Sequence, residues 1–354
     1  MADLAFELLL QELNSTDSGA ANDASEGCDL WLVDENIDGD QIARLRPRPN
    51  LRAVSNRFDI YQQLIDQGLQ AQLSDFEHCC FEGVDRVLFR VSKEKALVHH
   101  VLNSARAQLP VAGQLLISGY KNEGIKTYLD KTAVLFGDRG SRQKGGQSSQ
   151  LGVFLQGAGA APDYLDDKHY AQLRGIAANP KLLSKPGVFG WNKIDRGSEF
   201  LIEYLPVLLA QLEAVPSTVV DLGCGYGYIS ALAHPLVPAH YLATDNNVAA
   251  VAACRENFSQ LGIEGEVTLD HCGQSLSATA DLVLCNPPFH QGFELESSLT
   301  VQFLRSARRI VKKNGTALFV VNSFIPLEKA SQGVFGECQV VANNGSFKLL
   351  VLRP

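Results

Sequence analysis

Two short stretches of this 354-residue chain carry side chains that could do chemistry. The first is Asn286-Pro287-Pro288-Phe289, which follows the apolar run Asp281-Leu282-Val283-Leu284-Cys285. That run reads as a buried strand. Each proline fixes φ and lacks an N–H, so the pair stops the strand and locks the turn. The residue before a proline is pushed into an extended conformation. Asn286 is therefore held at a strand's carboxyl end. Its side-chain oxygen and the Pro287 carbonyl can both accept hydrogen bonds from a planar group bearing an –NH2. The Phe289 ring can stack on the same plane. A strand-ending turn without chemistry is the alternative reading.

The second stretch is Asp221-Leu222-Gly223-Cys224-Gly225-Tyr226-Gly227, between the apolar Thr218-Val219-Val220 and a helix-like Tyr228 to Ala233. Strand, glycine turn and helix make a nucleotide-binding unit, because glycine admits a close ligand and a helix start offers free N–H groups. Tyr228 stands where a dinucleotide fingerprint needs its third glycine. Asp221, two residues before the first glycine, would repel a pyrophosphate and welcome an amino ligand. A dehydrogenase is disfavoured on both counts. Asp245, with Asn246 beside it, ends the next apolar run, Tyr241-Leu242-Ala243-Thr244. A carboxylate there can take two ribose hydroxyls.

Together these residues resemble class I S-adenosylmethionine-dependent methyltransferases, whose Asn-Pro-Pro-aromatic signature goes with methylation of exocyclic or amide nitrogens. The extended form Asn286-Pro287-Pro288-Phe289-His290 is similar to the ribosomal RNA guanine-N2 branch. Pro186-Gly187-Val188-Phe189 and Ile194-Asp195-Arg196-Gly197-Ser198 resemble the entry segment of the small-subunit methyltransferase C family. The resemblance covers about 186–354. It departs at Gly190-Trp191, where the family has Ser after Val-Phe, and at His271, preceded by Asp270, where an acid or amide is expected near the adenine.

The resemblance implies S-adenosylmethionine as methyl donor and no metal. The partner it implies is 16S rRNA in the small ribosomal subunit. The implied cofactor residues are Asp221, Gly223, Cys224, Gly225, Gly227, Asp245, Asn246, Asp270, His271 and Asn286. Asn286, Pro287 and Phe289 would be catalytic, and Phe289 and His290 would meet the base. Large-subunit 23S rRNA, a protein glutamine amide (usually with Tyr in place of Phe289) and a non-catalytic assembly factor are the competing substrates and roles. The last predicts a damaged donor site, whereas Asp221 to Gly227 is intact.

The elements that position these residues require two domains, given the length. The expected division is a degenerate first domain over 1–165, a linker over 166–185 and a catalytic domain over 186–354. Net charge −8 and pI about 5.5 exclude a generic polyanion binder. The eight cysteines lack a C-x-x-C pairing, which points to a reduced, cytoplasmic chain, expected to be monomeric. The amino terminus is acidic, unlike a secretory signal, and no apolar run is long enough to span a membrane.

Leu4, Phe6, Leu8 and Leu9 suggest a short amphipathic helix, and Ser15 to Gly27 a loop. The arginines at 44, 46, 48, 52 and 57 read either as a solvated loop or as a phosphate-contacting patch. Ser141 to Gly159 reads as a loop, and Tyr170 to Ala178 as helical.

A repeat runs through the chain. Asp85-Arg86-Val87-Leu88-Phe89 mirrors Asp281 to Cys285, and Ser104-Ala105-Arg106 with Gly113 mirrors Ser306-Ala307-Arg308 with Gly315. The first copy has Arg90-Val91-Ser92-Lys93 at the position of Asn286 to Phe289, and no glycine turn. The fold class is thus α/β: two tandem Rossmann-like methyltransferase domains, the first degenerate. In the second, the periodicity predicts a helix over 200–212 and strands ending at 221 and 244. A helix over 247–260, strands over 266–269, 281–285 and 316–321, and a helix over 297–311 follow. A hairpin over 338–342 and 347–352 closes the sheet.

Overall fold

A computed structural model describes residues 3–15, 27–159, 163–277, 279–288 and 293–354. The chain forms two compact units that divide between Gln172 and Leu173. In the first lie strands β1 (Asp29–Val33), β2 (Leu51–Ser55), β3 (Gln70–Leu73), β4 (Arg86–Arg90), β5 (Gln114–Tyr120), β6 (Ser141–Lys144) and β7 (Ser149–Leu155). Its helices are α1 (Leu4–Ser15), α2 (Gly39–Ile42), α3 (Phe58–Asp66), α4 (Lys95–Gln108) and α5 (Ile125–Phe136). The strand order is β3-β2-β1-β4-β5-β7-β6. Neighbours pair parallel up to β5, and β7 and β6 close the sheet antiparallel.

The second unit opens on a small hairpin of β8 (Arg174–Ile176) and β9 (Asn179–Ser184). Its sheet holds β10 (Thr218–Leu222), β11 (His240–Asp245), β12 (Gly265–Leu269), β13 (Ala280–Cys285), β14 (Val311–Asn322), β15 (Glu337–Asn343) and β16 (Phe347–Arg353). The helices are α6 (Arg196–Leu209), α7 (Tyr228–Ala233), α8 (Val248–Leu261), α9 (Phe293–Ile310) and α10 (Leu327–Ser331). The order, β12-β11-β10-β13-β14-β16-β15, repeats that of the first unit strand for strand. The duplicated α/β fold and the closing hairpin agree with the sequence reading.

The central strands are apolar on both faces because helices cover both. Val219, Leu282, Leu284, Leu318 and Val320 pack with Leu201 and Leu205 of α6 and Ala249 and Cys254 of α8. The alternate residues, Val220, Leu222, Val283, Cys285, Ala317 and Phe319, pack with Phe303, Leu304 and Ala307 of α9. Burying each such aliphatic side chain contributes roughly 1.5–3 kcal/mol. The order reverses at β10, which has β11 on one side and β13 on the other. That reversal opens a crevice at the strands' carboxyl ends, where open α/β sheets bind ligands.

Two local expectations are corrected. Ser141 to Gly159 holds β6 and β7, not a loop; all four β6 residues are exposed, so the strand shows no apolar alternation. Tyr170 to Ala178 is not helical. Tyr170 is fully buried in the first unit, its hydroxyl 2.8 Å from Asp75 Oδ1, and β8 follows. The stretch 166–185 divides between the units, its first part in one and its hairpin in the other. Four of the five arginines in the run between 44 and 57 have partners within the protein. Arg44 pairs with Glu7, Arg48 with Asp29 and Arg57 with Glu35, and Arg52 donates to the Glu82 carbonyl. The loop expected over 15–27 falls, from 16 to 26, outside the described residues. Among the described residues no helix is long and apolar enough to cross a membrane.

Candidate active site

The glycine turn joins β10 to α7. Asp221, in the last turn of that strand, is completely buried. Its Oδ2 accepts the Ser230 N–H at 3.1 Å and the Ser230 hydroxyl at 2.7 Å, while Oδ1 has no partner. Burial pushes its carboxyl up to about 6, against the two Ser230 hydrogen bonds and with a contribution from the charge of Asp245.

Gly223, Gly225 and Gly227 all have left-handed backbones, with φ of 74°, 56° and 85°. A Cβ on Gly227 would lie 2.7 Å from Cys254 Sγ. At Gly225 an added Cβ would meet nothing within 4 Å, so the turn is open on that side. Cys224 is buried, and its hydrogen bond with Cys254, together with burial, holds the thiol protonated. Its side chain therefore faces the core, and only its backbone borders the turn.

Asp245 braces the turn from β11. Its Oδ2 accepts the Gly225 N–H at 2.8 Å and its Oδ1 the Asn247 N–H at 2.9 Å. Asn246 is half-buried at the same strand end. Asn247 caps α8 and donates to the Gly187 carbonyl at 2.8 Å, which ties the Pro186–Phe189 turn to this rim.

Asp270 and His271 separate. Asp270 is buried, and its Oδ2 accepts the Ser275 N–H and hydroxyl at 3.0 and 2.8 Å. With that oxygen it closes its own turn. His271 is half-buried, with Nε2 3.0 Å from Gln302 Oε1 on α9.

Asn286 follows β13, half-buried, with Pro287 buried behind it. Its Nδ2 donates to Asp195 Oδ2 at 2.7 Å and to Ser198 Oγ at 2.8 Å. Asp195 is the N-cap of α6, accepting the Ser198 N–H on the same Oδ2 at 2.9 Å. Both amide protons are thus taken. Among the described residues nothing donates to Asn286 Oδ1 or to the Pro287 carbonyl. Phe289 and His290 lie outside the described residues. The sequence reading missed the roles of Asp195, Ser198, Ser230 and Asn247. Asp195 and Ser198 stood in the sequence only as part of a resembling segment.

Comparison with known proteins bears on this geometry. Residues 179–351, nearly the whole second unit, match the family model "Methyltransferase small domain". A ribosomal RNA small subunit methyltransferase C from Aliivibrio fischeri is 25% identical over 335 residues, 92% of this chain and 94% of the relative. The protein of that name from Salmonella agona is 26% identical, covering 84% of each chain. Along most of its length the chain is therefore similar to the ribosomal RNA small subunit methyltransferase C family.

A solved member of that family is similar in fold across both units. It is a T. thermophilus 16S rRNA N2 methyltransferase in complex with AdoMet and guanosine, with TM-score 0.79 and 20% identity. The alignment covers 99% of this chain and 91% of that one. The second unit thus matches a methyltransferase domain in sequence, and the whole chain matches that AdoMet-bound protein in fold.

Proposed function

We propose that this protein is a member of the ribosomal RNA small subunit methyltransferase C family and transfers a methyl group from S-adenosylmethionine to the exocyclic N2 of a guanine in 16S rRNA. It acts as a monomer on the small ribosomal subunit. One observation carries the reading: the amide protons of Asn286 are both spent on Asp195 and Ser198, so its carbonyl oxygen is the group presented at the strand end. That end lies next to the glycine turn, because β13 pairs with β10 with Leu222 opposite Cys285.

The second unit's residues fit the methyl donor. Open space beside Gly225 and the unpartnered, buried Oδ1 of Asp221 suit an amino-acid moiety whose ammonium lies near that carboxylate. Asp245 and Asn246 would meet the ribose, with Gly223, Cys224 and Gly227 contributing backbone. Asp270 and His271 would border the adenine. When bound, S-adenosylmethionine supplies an electrophilic methyl group whose transfer leaves a neutral thioether.

Asn286 Oδ1 and the Pro287 carbonyl would each accept a hydrogen bond from one N2 N–H, and the single proton that the methylated nitrogen sheds would pass to His290 or to solvent. The guanine N2 lone pair is delocalised into the ring, so the free amine is a poor nucleophile. Two acceptors aligned at the strand end favour a pyramidal nitrogen and direct its lone pair out of the ring plane. The rate then comes from positioning and from fixed acceptors. Phe289, one residue beyond the prolines, is the ring that stacks on the base, and His290 is its polar neighbour in the chain. A paired target would have to be flipped out to reach them.

The test uses purified protein, labelled S-adenosylmethionine and undermethylated ribosomal material: free 16S RNA, small subunits and large subunits, each digested to nucleosides. Label in N2-methylguanosine from small-subunit material is the expected result. Label from large subunits alone would overturn the substrate, and label in protein alone would overturn the nucleic-acid reading.

A further inference from the structure

We propose that Asp195 is the positioning residue of the methyl-transfer site, setting which end of the Asn286 amide faces the target amine. The inference rests on the reading that Asn286 accepts that amine, and names what makes it an acceptor. The two ends of an asparagine amide are nearly equal in size, so packing alone does not choose between them. Turned over, Asn286 would present its own –NH2 to the substrate's –NH2, donor against donor. The choice falls to hydrogen-bond partners. A serine hydroxyl such as Ser198 can donate or accept, so it follows whichever end it meets. A carboxylate cannot donate, so the end 2.7 Å from Asp195 Oδ2 must be the –NH2.

Asp195 is itself fixed. Its Oδ2 gathers the Ser198 N–H at 2.9 Å and the Asn286 N–H at 2.7 Å, and its backbone is extended, with φ −74° and ψ 127°. Gly197 lets this first turn sit close: a Cβ there would be 3.1 Å from Asp195 Oδ2 and 3.2 Å from the Phe347 ring. A charge-assisted bond to one end of an amide also polarises the other, making Asn286 Oδ1 a stronger acceptor. The first unit repeats the joint. Asp3 caps α1 and accepts Arg90 Nε at 3.0 Å, with Arg90 at the end of β4 as Asn286 is at the end of β13.

Variants separate orientation from capping. In Asp195→Asn a carbonyl can take the place of Oδ2, so methyl transfer should fall no more than about tenfold. Asp195→Ser still caps α6 but cannot reach Asn286, and Asp195→Ala does neither. Both should lower kcat by roughly 100-fold, with donor affinity within about twofold of wild type and, for Asp195→Ser, an unchanged Tm. Equal activity of Asp195→Ser and wild type would overturn the proposal.

A second readout needs no substrate. The side-chain –NH2 resonances of Asn286, identified by their loss in Asn286→Ala, should be shifted downfield in wild type and in Asp195→Asn, and move to free-amide values in Asp195→Ser. Resonances unmoved in Asp195→Ser would overturn the proposal whatever the activity. The expected shifts in a protein that methylates no RNA would overturn the guanine reading and leave the positioning role standing.

Discussion

The two units are built on one plan, and the clearest difference between them is what occupies the ends of their central strands. The strand starts align them. Asp85 Oδ2 accepts the Cys28 N–H at 2.8 Å, and Asp281 Oδ2 accepts the Thr218 N–H at 3.0 Å. Three residues beyond those N–H groups stand Trp31 and Asp221, and five beyond the aspartates stand Arg90 and Asn286. In the first unit Trp31 is fully buried, its ring 6.2 Å from that of Phe6. Arg90 is locked by Asp3, by Glu123 at 2.7 Å and by the Tyr120 ring. In the second unit the same positions hold, among the described residues, a carboxylate with an unpartnered oxygen and a half-buried amide whose carbonyl oxygen accepts no hydrogen bond. The first copy kept the joint and filled the site; the second kept the joint and left its acceptors unspent. A donor site is thus lost by filling it with a buried ring and a paired cation, with no change of topology.

The comparison breaks hardest if the first unit's occupant is placed in the second. Asn286→Arg should pair with Asp195, leave the fold intact and lower N2-methylguanosine formation by roughly 1,000-fold or more, and Asn286→Ala by roughly 100-fold with donor affinity retained. Residual activity above a tenth of wild type in Asn286→Arg would show that the carbonyl is dispensable. The reverse change, Arg90→Asn, leaves Asp3 and Glu123 without their cation in a nearly buried site. Denaturant unfolding should show about 3 kcal/mol of lost stability, with turnover per folded molecule unchanged. A loss under 1 kcal/mol would mean that the lock is ornamental.

The glycine turn sharpens the contrast on a smaller scale. Gly225→Ala strains a left-handed residue by about 1–2 kcal/mol and puts a methyl into the space assigned to the donor, so calorimetry should show donor affinity falling more than stability does. Gly227→Ala, directed at Cys254, should show the opposite balance.

The smallest effect is a pH dependence of donor binding. Burial raises the Asp221 carboxyl to about 6, above its unfolded value. By itself this residue stabilises the donor-free fold at low pH, and that contribution is lost as pH rises through 6. A donor ammonium favours the ionised form. Donor affinity should therefore weaken by up to tenfold per unit below pH 6 and level off above 7. Asp221→Asn should flatten the profile; a flat wild-type profile would place the ammonium elsewhere.

Much of this was legible in the sequence. The strand-turn-helix at Asp221 to Tyr228 and the strand stop at Asn286-Pro287-Pro288 are local signals, and the order of apolar runs gave the sheet. What was not legible depends on distant partners. Asn286 and Asp195 are 91 residues apart, and nothing in either segment says which end of the amide turns toward the other. The acids that take up Arg44, Arg48 and Arg57 lie 37, 19 and 22 residues earlier, so the sequence of the run does not show these pairings. β6 carries Ser, Arg, Gln and Lys at an exposed sheet edge, where no alternation is required. Asp270 and His271 are adjacent, yet the turn closed by Ser275 sends one inward.

One carboxylate oxygen, Asp195 Oδ2, holds both the first turn of α6 and the amide of Asn286. Helix ends fray before sheets melt. On heating, that turn should act as a fuse. Fraying frees the amide to spin while the seven-stranded sheet is still intact, so methyl transfer should decline several degrees below the temperature at which the second unit unfolds.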